Sequence, residues 1–310
     1  MKLIPIAFAF DNNLITPACV CITSLILNAK EGTKYDIFIL HSKDDTLDKG
    51  TLDKLAKAYP EKCQIRYVEV DNTFSNAFEI RGVTKATYYR LLLPNLITDY
   101  DKIIYSDVDI TFQMDLSEVY DEPLDDNYIA ATLDLGLNYL DTKHINEIEE
   151  LEIGKYIQAG FIVFNLKKMR EDGIVSKFIE LSKKDFEYQD QDILNISCKG
   201  KIKYLKPEYN VNDCAFIVLK KYNVVSHLFS KEVCEFARKN GNIHFSGKKP
   251  WKQESICMDL WWEYYRKSII FDVDYYFDFF FNRTFILDSL SLWKRVKILI
   301  RFFVYGRAKI

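Results

Sequence analysis

Apolar and polar positions in this chain are arranged in blocks, and most blocks close on a carboxylate or amide. Ile4 to Phe10 is an apolar run ending in Asp11-Asn12-Asn13, which reads as a buried strand with polar groups at its tip. Thr16 suits a helix cap and Pro17 a first helical position, and Ala18 to Ala29 is apolar enough to pack on a sheet. Tyr35 to His41 reads as a second strand and Cys63 to Val70 as a third. Between them, Thr46 to Tyr59 places Leu47, Leu52, Leu55 and Ala56 on one helical face. Strand and helix in alternation predict an α/β fold with a mainly parallel central sheet built from right-handed crossovers.

Lys85 to Leu93 reads as a helix carrying Tyr88, Tyr89 and Arg90, with Pro94 as its breaker. Ile103-Ile104-Tyr105 is a short strand that ends in Asp107 and Asp109, with Val108 between them. Asn127 to Leu133 is a further strand closing on Asp134, and the polar, acidic Leu135 to Ile153 reads as a variable loop with a short helix. Gln158 to Leu166 is another strand followed by a basic helix start, and Asp190-Gln191-Asp192 opens a helix through Ile196. Tyr204 to Pro207 is a late strand with Tyr209-Asn210 as its exit, and Ile243 to Trp251 a compact polar loop after a short strand.

From about Trp261 the pattern changes. Aromatic residues crowd between Tyr264 and Phe285, so we expect a domain over residues 1–257 and a helical aromatic and basic extension over 258–310. Its last part, 291–310, carries Lys294, Arg295, Lys297, Arg301, Arg307 and Lys309 with no acid, beside Trp293, Val296, Leu299, Ile300 and Phe303 at helical spacing. Such a helix suits an anionic membrane surface, with packing on the domain or on a second subunit as the alternative.

The 310 residues are 48% hydrophobic, enough for a sizeable core, and the net charge of −3 excludes the dominant basic face of a nucleic-acid protein. Seven scattered cysteines lack paired metal spacing and read as reduced thiols of a cytoplasmic protein. The N-terminus enters a strand directly, its apolar stretch breaks at Asp11, and no apolar run is long enough to span a bilayer.

The chemistry concentrates at Asp107 and Asp109. Two carboxylates one residue apart at the tip of a buried strand repel each other, and a divalent cation removes that conflict by collecting oxygen ligands. At the C-terminal edge of a parallel sheet such a cation faces a crevice where ligands bind. Asp-x-Asp holding a metal that holds a diphosphate is therefore the functional reading, against a solvated acidic turn.

Six ordered pieces carry a family resemblance: Phe8 to Asn13, Thr87 to Leu91, Tyr105 to Asp109, Ala159 to Lys168, Asp190 to Asn195 and His244 to Trp251. Over roughly residues 3 to 255 the chain resembles the retaining glycosyltransferases of family 8, which include bacterial lipooligosaccharide galactosyltransferases and are related to glycogenin. The resemblance implies a single GT-A-type nucleotide-sugar-binding domain. It implies Asp107, Asp109 and His244 as ligands of Mn²⁺, with Mg²⁺ as the alternative, since imidazole and carboxylate both suit such an ion. It implies Asp11 and Asn13 at the uridine, Gly247 and Lys249 at the diphosphate, Arg90 near diphosphate and sugar, and Asp134, Asp190 and Gln191 around the donor sugar. Asp107, Val108 and Gln158 also line the implied donor site. Gln158 stands where the family commonly has Asn, which bears on the donor sugar, and Lys248 is a neighbouring rival of Lys249.

The implied reaction moves a hexose from UDP-glucose or UDP-galactose, with retention, to a sugar hydroxyl of a glycan or glycolipid such as lipopolysaccharide or capsule. Two other readings are a sugar-nucleotide-binding protein without transferase activity and a nucleotidyltransferase. The second typically has a Gly-rich phosphate loop near the N-terminus, and Asp11-Asn12-Asn13-Leu14 contains no glycine.

Overall fold

The computed structural model describes residues 2–44, 46–75, 77–79 and 85–305. The chain forms two compact units, residues 1–269 and 270–310. Among the described residues the first contains nine strands: β1 (Lys2–Ala9), β2 (Thr33–Ser42), β3 (Cys63–Val70), β4 (Lys102–Ser106), β5 (Ile110–Thr111), β6 (Ile129–Leu133), β7 (Ile157–Asn165), β8 (Ile202–Tyr204) and β9 (Ile243–His244). Seven form one sheet in the order β3-β2-β1-β4-β7-β6-β8, and β5 pairs with β9.

The sheet is mainly parallel, as the alternation of elements predicts. β1 pairs in parallel with both β2 and β4, β2 with β3, and β6 with β8. β7 is the exception and runs antiparallel to β4 and β6. Its apolar run is buried along nearly its whole length, and such a run carries no mark of direction. The chain steps from β1 out through β2 and β3, then returns to the other side of β1 with β4, so the strand order switches between β1 and β4. Ligands of open α/β sheets bind at such a point, beyond the carboxyl ends of the strands.

Local starts differ from the sequence reading where side chains compete for backbone donors. Thr16 is not a cap. Asp11 accepts from the Asn13 N–H at 2.9 Å and caps a 3₁₀ turn, Asn12–Leu14, that runs into the helix Ile15–Leu27. Pro17 then falls at the third helical position, where its missing N–H has no intrahelical partner to lose. The helix expected from Lys85 is present as a 3₁₀ helix, Lys85–Leu92. The polar stretch after Asp134 holds two short helices, Leu135–Tyr139 and Lys143–Glu147, with Leu137, His144 and Ile145 buried. All seven cysteines are free thiols.

The helix Met258–Lys267, expected with the C-terminal extension, falls in the first unit. Its Trp261 and Trp262 are fully buried; Trp261 packs on Trp251 at 5.4 Å between ring centroids, and Trp262 donates to the Pro250 carbonyl at 3.2 Å. The described residues of the second unit form the helices Val273–Ser289 and Leu292–Tyr305. Many of its apolar side chains are exposed, Trp293 at 77% and Phe303 at 83% among them. Arg307 and Lys309 lie outside the described residues. Among the described residues no helix is long and apolar enough to cross a membrane.

Candidate active site

Four strand ends converge at the switch point. Asp11 follows β1, Asp107 follows β4, Asp134 follows β6, and Gln158 to Gly160 open the antiparallel β7. The Asp107 N–H donates to the Gly160 carbonyl at 2.8 Å and the Asp134 N–H to the Tyr156 carbonyl at 2.9 Å, which pins these tips side by side. The small β5–β9 ladder pairs Ile110 with His244, and the Phe245 N–H donates to the Asp109 carbonyl at 2.9 Å. A histidine more than a hundred residues away in sequence is thereby fixed against the two aspartates.

A cleft of about 640 Å³ opens here, a size suited to a small-molecule ligand. Its walls include Asp11, Asn13, Arg90, Asp107, Val108, Asp109, Gln158, Asp190, Gln191, His244, Gly247 and Lys249. Asp134 does not line it and sits one side chain behind, accepting from Gln191 Nε2 at 3.2 Å and from the Leu137 N–H at 3.0 Å. Lys248 is exposed and not part of the wall, whereas Lys249 reaches the Asp109 carboxylate. A side chain at Gly247 would meet only Asp213 at ordinary contact distance.

Each aspartate of the pair spends one oxygen on a cation. Asp107 Oδ1 accepts from Arg90 Nη2 at 2.7 Å, and Asp109 Oδ2 from Lys249 Nζ at 2.5 Å. The other two oxygens face His244 Nε2, Asp109 Oδ1 at 3.2 Å and Asp107 Oδ2 at 3.8 Å. Asp109 Oδ1 is buried with no hydrogen-bond donor. Ligand atoms of Asp107, Asp109 and His244 all lie within 4.8 Å of one another. Two carboxylate oxygens and one imidazole nitrogen, one of them an orphaned buried acceptor, fit a hard divalent cation. Burial alone would push the Asp109 carboxyl up, but the Lys249 ammonium outweighs it and holds it well below the ordinary range.

Arg90 organises the opposite wall. It is 3% exposed and donates to Asp107, to the Ala159 carbonyl at 2.5 Å and to the Thr87 carbonyl at 2.9 Å, with Asp190 Oδ2 3.0 Å from its Nε. Its guanidinium lies over the Tyr105 ring at 4.2 Å. Asp190 also accepts from Thr87 Oγ1 at 2.6 Å; it does not cap its helix, and burial pushes its carboxyl up to about 6 against the pull of Arg90. Gln189 just before it holds a left-handed backbone (φ 43°), a strained conformation that sets the direction in which Asp190 and Gln191 enter the cleft. Gln191 Oε1 accepts from the Ala159 N–H at 2.9 Å, so its amide is tied at both ends.

Several neighbours went unassigned in the sequence. Thr87 and Tyr105 both bind the acidic groups, Tyr105 Oη donating to Asp107 Oδ1 at 3.1 Å. Buried Asp192 gathers His144 Nε2 at 2.8 Å, Tyr156 Oη at 2.5 Å and the Tyr188 N–H at 2.9 Å, bracing the helix that presents Asp190 and Gln191. Asn210 meets His244 Nδ1 at 2.9 Å, and nothing in the sequence around it marks it.

Residues 5–255 match glycosyl transferase family 8, and the chain belongs to that family. It is 33% identical over 229 residues to a Haemophilus influenzae protein named as a glycosyltransferase, covering 71% of this chain and 67% of that one. It is 25% identical over 272 residues to the lipopolysaccharide 1,2-glucosyltransferase of Escherichia coli K12, covering 85% and 77%. Among solved structures it is similar to the galactosyltransferase LgtC with donor and acceptor sugar analogues, at TM-score 0.73 and 25% identity over 88% of this chain and 99% of that one.

Proposed function

We propose that the chain is a metal-dependent, retaining hexosyltransferase. It moves a hexose from UDP-glucose or UDP-galactose to a sugar hydroxyl of a cell-surface glycan such as lipopolysaccharide or capsule. The observation that carries this reading is the pair of carboxylate oxygens facing His244 Nε2 in the wall of the cleft. Asp107, Asp109 and His244 would hold Mn²⁺, or Mg²⁺, and the bound ion supplies positive charge to the leaving diphosphate.

The chain's own groups do the rest. Asp11 and Asn13, at the tip of β1, take the uridine end, and Gly247 and Lys249 the diphosphate. Lys249 is part-exposed, so it can turn from Asp109 to a phosphate oxygen as negative charge develops there. Arg90, already neutralised by Asp107 and Asp190, holds the wall against which the sugar lies. Asp190, Gln191 and Gln158 face the sugar, with Asp134 fixing the Gln191 amide from behind.

A tied neutral amide is a poor nucleophile, which favours attack on the front face. The acceptor oxygen bonds to the anomeric carbon on the side from which the phosphate oxygen leaves. The acceptor proton passes to that phosphate, and UDP departs with retention at the sugar. The competing route runs through a covalent bond to a neighbouring carboxylate.

Uridine diphosphate with Mn²⁺ should raise the melting temperature of the full chain. At a hundredfold excess over Kd the stabilisation is about 2.7 kcal/mol, roughly 5–10 °C for a domain of this size. A shift with guanosine or cytidine diphosphate but none with the uridine compound would sink the donor assignment.

We further propose that the second unit makes the protein a peripheral one at the cytoplasmic face of a membrane. On the helix Leu292–Tyr305, exposed Leu292, Trp293, Leu299, Ile300 and Phe303 accompany Lys294, Arg295, Lys297 and Arg301. Each base near an anionic surface contributes on the order of 1 kcal/mol, so replacing these bases by Gln should weaken vesicle binding by more than about 100-fold. Donor hydrolysis in solution should stay near the parent level. If the full-length protein fails to co-sediment with anionic vesicles at low salt, the membrane reading is wrong.

A further inference from the structure

We infer that Gln158 and Asn210 form a hydrogen-bond relay that fixes the proton of His244 on Nδ1 and keeps its Nε2 lone pair aimed at Asp107 and Asp109. The backbone N–H of Gly160 can only donate. It donates to a Gln158 amide atom at 2.6 Å, and a donor there requires that atom to be the oxygen, Oε1. The same Oε1 meets the Asn210 side chain, so Asn210 must present its NH₂ group to it. The other Asn210 amide atom is then Oδ1, and it lies 2.9 Å from His244 Nδ1. A carbonyl oxygen only accepts, so Nδ1 must carry the hydrogen. One backbone N–H thus decides, through two amides, which imidazole nitrogen is left for a cation.

The surroundings leave little room to bypass this chain. Gln158 is 8% exposed, Asn210 4% and His244 2%. The backbone holds the members in register: the His244 N–H donates to the Val211 carbonyl at 3.0 Å, and the Val211 N–H to the Asn242 carbonyl at 2.9 Å. Gly160 has a second duty, because a Cβ there would stand 2.3 Å from His244 Cε1 and 2.9 Å from Gln158 Oε1. Only glycine lets the ring and the amide lie together against β7. Outer partners of metal-bound histidines set ring orientation and tautomer, and their loss costs metal affinity about 10–100-fold.

The inference rests on the metal reading of the site, and the experiment separates the two. In full-length protein carrying ¹⁵N-histidine, the His244 Nδ1 should bear an exchange-protected proton both without metal and in saturating Mg²⁺. Asn210→Leu removes the acceptor and Gln158→Leu removes the anchor. Either should lose that protected signal and weaken Mn²⁺ binding, measured calorimetrically, by about 10–100-fold. Asn210→Asp keeps an acceptor at Nδ1 and should retain both the signal and most of the affinity, which a purely structural role for Asn210 would not give. An unprotonated Nδ1 in the parent overturns the relay even if no variant folds, and so does Asn210→Leu with parental Mn²⁺ affinity. A parent that shows the protected proton but binds neither Mn²⁺ nor Mg²⁺ keeps the relay and sinks the metal reading.

Discussion

Asp109→Asn should lower hexosyl transfer by several kcal/mol of transition-state stabilisation, on the order of 10³-fold, and EDTA should do the same to the parent. The carboxylate offers Oδ1 as a buried acceptor without a donor, and an asparagine there offers a neutral oxygen or an amine. Folding should suffer far less. Lys249, left without Asp109, still donates to the Phe245 carbonyl at 2.7 Å. Because the folded environment holds the Asp109 carboxyl below its ordinary 3.8, its ionisation contributes stability above that pH and loses it as pH falls through the lower folded value. The melting difference between parent and variant should therefore shrink on acidification below about 4. Full transfer activity in EDTA would show that the aspartate pair serves something other than a cation.

What could be read in the sequence follows from how local its physical cause is. Cys63 to Val70 is a strand over the range that its own pattern gives, and the runs ending in Asp11, Asp107 and Asp134 all place a polar group at the same sheet edge. An apolar run buried on both faces is its own signal. The reversed direction of β7 is not, because orientation is decided by partners and by where the preceding segment ends. Thr16 failed as a cap because Asp11, five residues earlier, competes for the same turn. His244 is grouped with Asp107 and Asp109 through likeness to a family, and its approach to Asp109 depends on a two-residue ladder that no periodicity could reveal. Asn210 and Gly160 depend on contacts of one side chain with one ring, so their roles exist only in three dimensions. The stretch from Leu135 to Ile153 reads as a variable polar loop with a short helix, yet His144 within it is buried on Asp192 beneath the helix that carries Asp190 and Gln191. A polar residue with a buried partner is indistinguishable in sequence from one in solvent.

Arg90→Ala should be the most destabilising single change in the site, by about 3–5 kcal/mol, or roughly 10 °C in melting temperature. The guanidinium is the shared partner of Asp107 and Asp190 and also satisfies the Ala159 and Thr87 carbonyls. Burial by itself would lower its pKa, but the two carboxylates more than compensate, so it stays charged at every working pH. Alanine leaves Asp190 buried without a countercharge and removes the side chain packed on Tyr105. Lysine would keep one charge but not the fork that reaches four acceptors. The pH dependence distinguishes lost pairing from lost packing. Asp190 sits at about 6 even with Arg90 beside it, and without that partner it moves higher. A carboxyl whose folded pKa is raised destabilises the fold as pH rises above its unfolded value, so the variant's deficit should shrink as pH is lowered from ~8 to ~5. Adding Asp190→Asn should recover about 0.5–3 kcal/mol of the loss, since the two groups are coupled. A deficit that is flat with pH, or a double variant no more stable than Arg90→Ala, would show that Arg90 acts as packing rather than as the countercharge of the site.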